Sequence, residues 1–524
     1  MDDTTALQLM SEFNEKKTGG EPWSETELQH KLNDAKRIVS SAGEFGSRVT
    51  ESRDSGDGIN LKFVAQQVTD MGNAARLVLR HGDSIRYSHP HKKWYVWDGR
   101  RWQQDHRGKI VLRSKSVALS IFDEAKAADS DERRKRLADW GVASQTRDRL
   151  NAMATLAQPD VAIEPSEMDR DPWAFNCLNG TIDLRTGLLR PHRREDLITK
   201  LAEVHFDPDA KAPLFAAFLE RALGGDQELI TFIQRLFGHC LTADVREQYL
   251  FVFHGEGGNG KNVLLDTISA IMGDYAAEAP PDLVTTRRNP EHPTEIANLM
   301  GQRLVVASET EHGSELRTQL IKRLTGNAWL KARLMRKDFF QFERTHKLIL
   351  VTNNRPVLRE DTEAVWRRIR LVPFNVVVPL EERDPELLQK LKQESSGILA
   401  WMVRGCQDWI AHGLAAPHAV MAATSEYRSN SSGIQAFIEQ HCVLDPNAWS
   451  SAESLCARYL SWCARNRFVP LQGKELGAAL RSQRCTDKKR GGVRGWFGIG
   501  LRSESLDGMD GMDGMDGRIR LSAL

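Results

Sequence analysis

The stretch HGEGGNGKN, residues 254–262, limits what this chain can fold into more than any other. It follows YLFVF (249–253), a short apolar run of strand character, and precedes VLLDTISAIMG. That second segment carries apolar residues at 263, 264, 265, 268, 271 and 272, the spacing of an amphipathic helix. A strand that turns into a helix through Gly255, Gly257, Gly258 and Gly260 can use the positive φ angles glycine allows. Such a unit presents backbone N–H groups at a helix N-terminus, where anions bind. The phosphate-loop pattern G-x-x-x-x-G-K normally ends in Ser or Thr, whose hydroxyl reaches Mg²⁺. Here Gly255, Glu256, Gly257, Gly258, Asn259, Gly260 and Lys261 form the loop, Asn262 replaces the hydroxyl, and Val263 follows. Lys261 is placed to reach the β- and γ-phosphates of ATP, and the Asn262 carbonyl can ligate Mg²⁺ or hold one of its waters.

Two further runs, RLVVA (303–307) and KLILV (347–351), are short, apolar throughout and flanked by polar residues. Strands covered on both faces read this way, so residues 246–375 are expected to form an α/β domain on a parallel sheet. Ligands bind at the carboxyl ends of such strands. Glu309 and Glu311 follow the second run and are the candidates for the Mg²⁺ side and the attacking water. Asn353 leaves the third run, where an amide can orient water, although Asn and Pro also build plain turns. VWRRIRLVPF (365–374) carries Arg367 and Arg368, which either serve a neighbouring copy's nucleotide or form a solvated face. Spacing does not choose between these.

The rest of the chain frames this domain. Its 524 residues suit two to four domains. Residues 1–60 read as a polar leader and linker, and 61–170 as an α+β region with aromatic–polar alternation around Asp98-Gly99 in 85–105. Residues 171–245 precede the α/β domain, 376–432 form a helical connector, 433–502 a compact segment, and 503–524 a low-complexity tail. In the compact segment a short helix (474–482) leads to Lys488, Lys489, Arg490 and Arg494 around two glycines. A net charge of +1 confines any nucleic-acid surface to such local patches. Seven cysteines without a C-x-x-C pair argue against a zinc site or disulfide framework. No apolar run approaches the roughly 20 residues that span a membrane, and the start lacks the layout of a secretory signal, so a cytoplasmic protein is expected.

Four blocks in order, GEGGNGKN, VVASETE, KRLTGNAWLKARLMRKDFFQFERTHKLILVTNNRP and WRRIRLVPF, resemble superfamily 3 helicases. The nearest group is similar to the phage and plasmid primase–helicases, which share their NTPase with the poxvirus helicase–primase. The resemblance covers residues 170–500 and includes FNCLNGTIDLRTGLLRPH and FDPDAKAP ahead of the central domain. It implies an AAA+-like ATPase core and a C-terminal winged helix. It assigns Gly255, Gly260 and Lys261 to Walker A, Glu309 and Glu311 to Walker B, Asn353 to sensor 1, and Arg368, with Arg367 behind it, to the arginine finger. Residues 331–345 become a hairpin that grips DNA through a tip of Arg336, Lys337 and Asp338. RLMRKDFFQFE reads independently as two alternating strands about a charged turn, with Phe339 and Phe340 suited to single strands or to hairpin core. The expectation is an ATP-dependent DNA helicase or translocase, working as a ring, hexameric by the resemblance, on single-stranded or forked DNA inside a bacterial host. No primase signature occurs in the first 170 residues, so a separate primase is an expected partner. The alternative is an origin-binding initiator whose nucleotide assembles the ring with little turnover.

Overall fold

The computed structural model describes residues 24, 60–280, 283–285, 294–308, 315–333, 335, 338–356, 358, 362–431, 433–466, 468, 470–471 and 473–502. The chain divides into two compact units, residues 1–82 with 111–160, and residues 83–110 with 161–524.

The first unit is helical where described. Helices α1 (Leu61–Ala65) and α2 (Asp70–His81) start on side-chain caps, Asn60 and Thr69. Each cap oxygen takes up an N–H that the first helical turn leaves without a partner. Helices α3 (Lys109–Lys126), α4 (Asp131–Ala143) and α5 (Arg147–Leu156) follow. Buried Asn73 joins two of them, donating to Ser144 Oγ at 2.9 Å and accepting from Trp140 Nε1 at 3.0 Å. Buried Arg76 grips the Glu124 carboxylate at 2.8 Å.

The second unit opens with two three-stranded antiparallel sheets. Strands β1 (Ile85–Ser88), β2 (Lys93–Trp97) and β3 (Trp102–Gln104) form a meander. Asp98 Oδ1 accepts from the Arg100 and Arg101 amides, both at 2.8 Å, which closes the turn expected at Asp98-Gly99. Strands β4 (Ala174–Cys177), β5 (Gly180–Asp183) and β6 (Leu188–Arg190) form the second meander, and helices α6 (Pro213–Ala222) and α7 (Gln227–Cys240) follow.

The centre is a five-stranded parallel sheet. Its strands are β7 (Leu250–His254), β8 (Ala276–Ala279), β9 (Leu304–Ser308), β12 (Lys347–Thr352) and β13 (Ile369–Pro373), in the spatial order β13-β7-β12-β9-β8. Helix α8 (Lys261–Met272) leaves β7. Helices α9 (Thr294–Ala297) and α10 (Thr318–Gly326) lie between β8 and β12, together with the hairpin β10 (Trp329–Arg333) and β11 (Phe339–Glu343). Helix α11 (Glu363–Trp366) precedes β13. The continuous apolar runs are explained by burial on both faces. Phe251, Phe253, Ile349 and Val351 join the core under α8, whereas Leu250, Val252, Leu348 and Leu350 join the core under α10 and α11. This is the two-residue period of a strand covered on both sides.

After the sheet come α12 (Leu387–Gln393), α13 (Ser395–His412) and α14 (His418–Ser431). The C-terminal module runs α15 (Ile434–His441), β14 (Cys442–Ser451), α16 (Ala452–Asn466), α17 (Gly473–Ser482), β15 (Thr486–Arg490) and β16 (Val493–Leu501). Its three strands pair antiparallel in the order β14-β16-β15 around a core of their own.

The lower, amino-terminal edge of the parallel sheet buries several cations. Arg303 donates to Ala174 O at 2.8 Å and to Leu241 O, and Lys347 Nζ donates to Thr242 O at 2.5 Å and Asp244 O at 3.2 Å. Arg344 donates to Val245 O and Asn327 O, both at 2.9 Å. Burial pushes the Lys347 ammonium down to about 7. The acceptors from 241–245 are main-chain carbonyls just past the C-terminus of α7, where the helix dipole favours positive charge.

Candidate active site

The glycine-rich loop leaves the upper end of β7, between the ends of β12 and β13. His254 pairs with Thr352 on one side and Pro373 on the other. Gly258 (φ 81°) and Gly260 (φ 84°) have left-handed backbones that other residues rarely adopt. At Gly255 a Cβ would stand 2.1 Å from Phe374 O, so this position must be bare for β13 to pass. Asn259, buried, fixes the loop from within by donating to Phe374 O at 3.0 Å. Gly260 caps α8 without a side-chain hydrogen bond, as an anion-binding helix start requires.

Lys261 is buried at the first position of α8 and turns back over the loop. Its ammonium donates to Gly255 O at 2.7 Å, Asn259 Oδ1 at 3.0 Å, Glu256 O at 3.2 Å and Asn353 Oδ1 at 3.2 Å. Lys261 and Asn353, 92 positions apart in sequence, therefore share one site. Glu256, Gly257 and Asn262 are exposed and Val263 is half-buried. Burial, then the charges of Arg355 and Lys261, push the imidazole of His254 down to about 4, so it is a neutral wall beside the cations near pH 7. Arg383 was not foreseen from sequence: a Cβ on Gly258 would lie 2.1 Å from its Nη2, so the guanidinium covers the loop. Its Nε donates to Val378 O at 2.9 Å, and nothing in the surrounding ERDPELL letters marks it.

Arg368 is elsewhere. Its carbonyl accepts from Leu250 N at 2.7 Å, at the lower edge of the sheet where β7 begins. Five strand residues at about 3.3 Å each separate it from the loop by roughly 16 Å. Its side chain enters a groove of about 740 Å³ along α10, lined by Arg317, Lys322, Arg323, Gly326 and Asn327 among others. Nη1 donates to Ala364 O at 2.6 Å, and burial followed by the charge of exposed Arg367 lowers its proton affinity. Glu309, Glu311, Arg336 and Lys337 lie outside the described residues.

The β10–β11 hairpin pairs Arg333 with Phe339 and Trp329 with Glu343. One face, Leu330, Ala332 and Phe342, is buried in the core with Phe340 packed against it. The other exposes Trp329 and Phe339, with Lys331 Nζ at 5.0 Å and Arg333 Cζ at 4.9 Å from the Phe339 ring. The two phenylalanines thus divide, Phe339 outward and Phe340 inward. In the C-terminal module Gly491 and Gly492, both at positive φ, make a two-residue turn between Arg490 and Val493. Lys488, Lys489, Arg490 and Arg494 are exposed around it, and Arg494 is held by Asp487 at 2.6 Å.

Two family models and several known proteins match parts of this chain. The family described as "D5 N terminal like" matches residues 74–224, and a family of unknown function matches residues 253–368. A "Putative helicase" of Acanthamoeba polyphaga mimivirus is 24% identical over 390 residues, covering 67% of this chain and 40% of the relative. A "Putative helicase" of Frog virus 3 is 24% identical over 283 residues, and a "Putative primase" of African swine fever virus 22% identical over 214. They cover 49% and 39% of this chain, and 28% and 22% of those relatives. The apo structure of the NrS-1 C terminal region aligns over 82% of this chain and 98% of its own, at 11% identity and a TM-score of 0.41. The curated relatives are thus viral proteins named as putative helicases or primases. These matches support a phage or viral primase–helicase family, and the chain spans 40% or less of the curated relatives named above.

Proposed function

We propose that this chain is an ATP-driven DNA helicase or translocase that works as a ring of copies, each nucleotide lying between two of them. The observation that carries this reading is the division of Lys261 and Arg368 between opposite ends of one sheet. An arginine that cannot reach its own copy's loop would be available to the loop of the next.

The loop fits a triphosphate. Its helix starts on a glycine with no capping side chain, its glycines allow close approach, and the Lys261 ammonium rests on amide and carbonyl oxygens that a phosphate oxygen can replace. Lys261 would neutralise the β- and γ-phosphates, Asn353 would orient the attacking water, and Arg368 of the neighbouring copy would meet the charge that develops on transfer. Asn262, exposed on the first turn of α8, would offer an amide oxygen toward Mg²⁺, and Glu309 and Glu311, which follow β9 in the sequence, are the carboxylates proposed for the same ion. When bound, Mg²⁺ would supply positive charge that neutralises the phosphate oxygens. The Trp329–Phe339 face suits stacked bases, and the order α15, β14, α16, α17, β15, β16 is read as a winged helix with Gly491-Gly492 at the tip of the wing. A primase would be a separate partner.

DNA-stimulated ATP hydrolysis by purified protein tests the reading, and single-stranded DNA is expected to raise turnover. DNA binding and ring assembly with no detectable turnover would instead establish the origin-binding initiator.

A further inference from the structure

Helix α14 holds the turn that carries Asn353 at several points. The buried phenol of Tyr427 donates to Pro356 O at 2.5 Å, three residues beyond Asn353. Glu426 accepts from Arg355 Nη1 at 2.8 Å. Arg428 pairs with Glu363 at 2.9 Å, and Thr424 Oγ1 accepts from Leu371 N, in β13, at 3.0 Å. The Tyr427 ring also meets Trp366 edge-on, centroids 5.2 Å apart. One helix thus grips the loop after β12, the short helix α11 and strand β13. Burial raises the phenol's pKa, so it remains a donor throughout the physiological range.

The far end of the same helix is close-coupled to the C-terminal module. Helix α14 ends at Ser431, and Gly433 caps α15, whose Ile434, Phe437 and Ile438 sit in the module's core. A Cβ on Gly433 would come within 3.0 Å of both Phe468 and Trp462, so the junction is tightly packed against that core. A link this short leaves little slack between the module and the grip on residues 355 and 356.

From this we infer that Tyr427 and Glu426 are positioning residues: through Pro356 and Arg355 they set Asn353 against Lys261, and they carry the state of the DNA-bound C-terminal module to that site. The inference rests on the proposed function, since it takes Asn353 to act on ATP and the module to bind DNA. DNA seated on the module would bias α14 and thereby the placement of the Asn353 amide, which appears as a change in kcat. Reciprocally, nucleotide at the loop would change the affinity of the module for DNA by the factor by which DNA changes the affinity for nucleotide.

Tyr427→Phe removes the hydroxyl and keeps the ring, and Glu426→Gln removes the charge of an exposed side chain, so both should fold. The experiment compares full-length protein and the two variants for ATP KM, kcat with and without duplex DNA, and duplex affinity with and without a non-hydrolysable ATP analogue. The expected result is a loss of DNA stimulation of kcat by about fivefold or more, the lower end of typical coupling, with KM and nucleotide-free DNA affinity near wild type. Wild-type stimulation in both variants would overturn the inference. Absence of ATP turnover or of DNA binding in the wild-type protein would instead overturn the proposed function beneath it. A rise of KM in parallel with a fall of kcat and of DNA affinity would also overturn the inference, because it marks a merely structural role.

Discussion

Lys261 and Arg368 stand at opposite ends of the same two strands: one folds over the loop that ends β7, the other bonds to the first residue of β7 through its carbonyl. On the proposed reading, a nucleotide that meets both residues would need two copies. Lys261→Ala and Arg368→Ala should each lower kcat by about a thousandfold or more, the range for arginine fingers. Nucleotide binding should be lost in the first and nearly kept in the second. Mixing the two variants should restore part of the activity, because some interfaces then pair an intact loop with an intact arginine. A mixture as inactive as its components would show that Arg368 works within its own copy.

The hairpin face predicts how single strands are held. Phe339→Ala should weaken single-stranded DNA binding by about 1–3 kcal/mol, the usual value of one stacked base. Phe340→Ala, at a side chain turned toward the core, should lower thermal stability instead. Fluorescence anisotropy and a melting curve on each variant separate these, and the reverse assignment would mean that the exposed face is not the DNA face.

At the C-terminal hairpin, charge compensation ranks the cations. Lys488 and Lys489 together, changed to Ala, should reduce the slope of log affinity for duplex against log salt by about two. Arg494→Ala should reduce it by less than one lysine does, because Asp487 already neutralises that guanidinium. A salt titration in which Arg494 dominates would refute the ranking.

His346 predicts acid sensitivity. Burial, then Arg344 and Lys347, pushes its imidazole down to about 3, against about 6.5 in an unfolded chain. Below pH 6.5 the unfolded chain binds a proton that the folded one refuses, so stability is complete above that value and is lost progressively as pH falls toward 3. His346→Leu should make the melting temperature fall less between pH 7 and 5. Some slope should remain, since burial also holds His239 and His254 below their usual values. An unchanged slope would place the titration elsewhere.

Asn262 is exposed on the first turn of α8. Replacing it by Ser or Thr should preserve or raise Mg²⁺-dependent turnover, measured as kcat against Mg²⁺ concentration. Collapse of activity would assign the amide a role that a hydroxyl cannot fill.

The strands of the central sheet were legible because burial on both faces leaves an unbroken apolar run; β7 and β9 begin one residue later than the letters suggest. Strand β8, AAEA, was not legible: alanine has little strand character, and its pairing with β9 supplies the order. Strand β14 was hidden by Asp445 and Pro446, residues that usually interrupt a strand, and its register shifts between Leu444 and Trp449. The loop and Lys261 could be read locally, because phosphate chemistry fixes their spacing. Arg383 and Tyr427 could not, since each reaches its partner from a distant part of the chain with no pattern of its own.

The cations beneath the sheet have a consequence for how this sequence can vary. Arg303 and Lys347 draw on main-chain oxygens of residues 241, 242 and 244, which every amino acid carries. As far as these bonds go, the identities at those acceptor positions can change, and what holds them is their own packing and side-chain bonds. The two basic residues have no such freedom, so half of this junction would leave no trace in a comparison of related sequences.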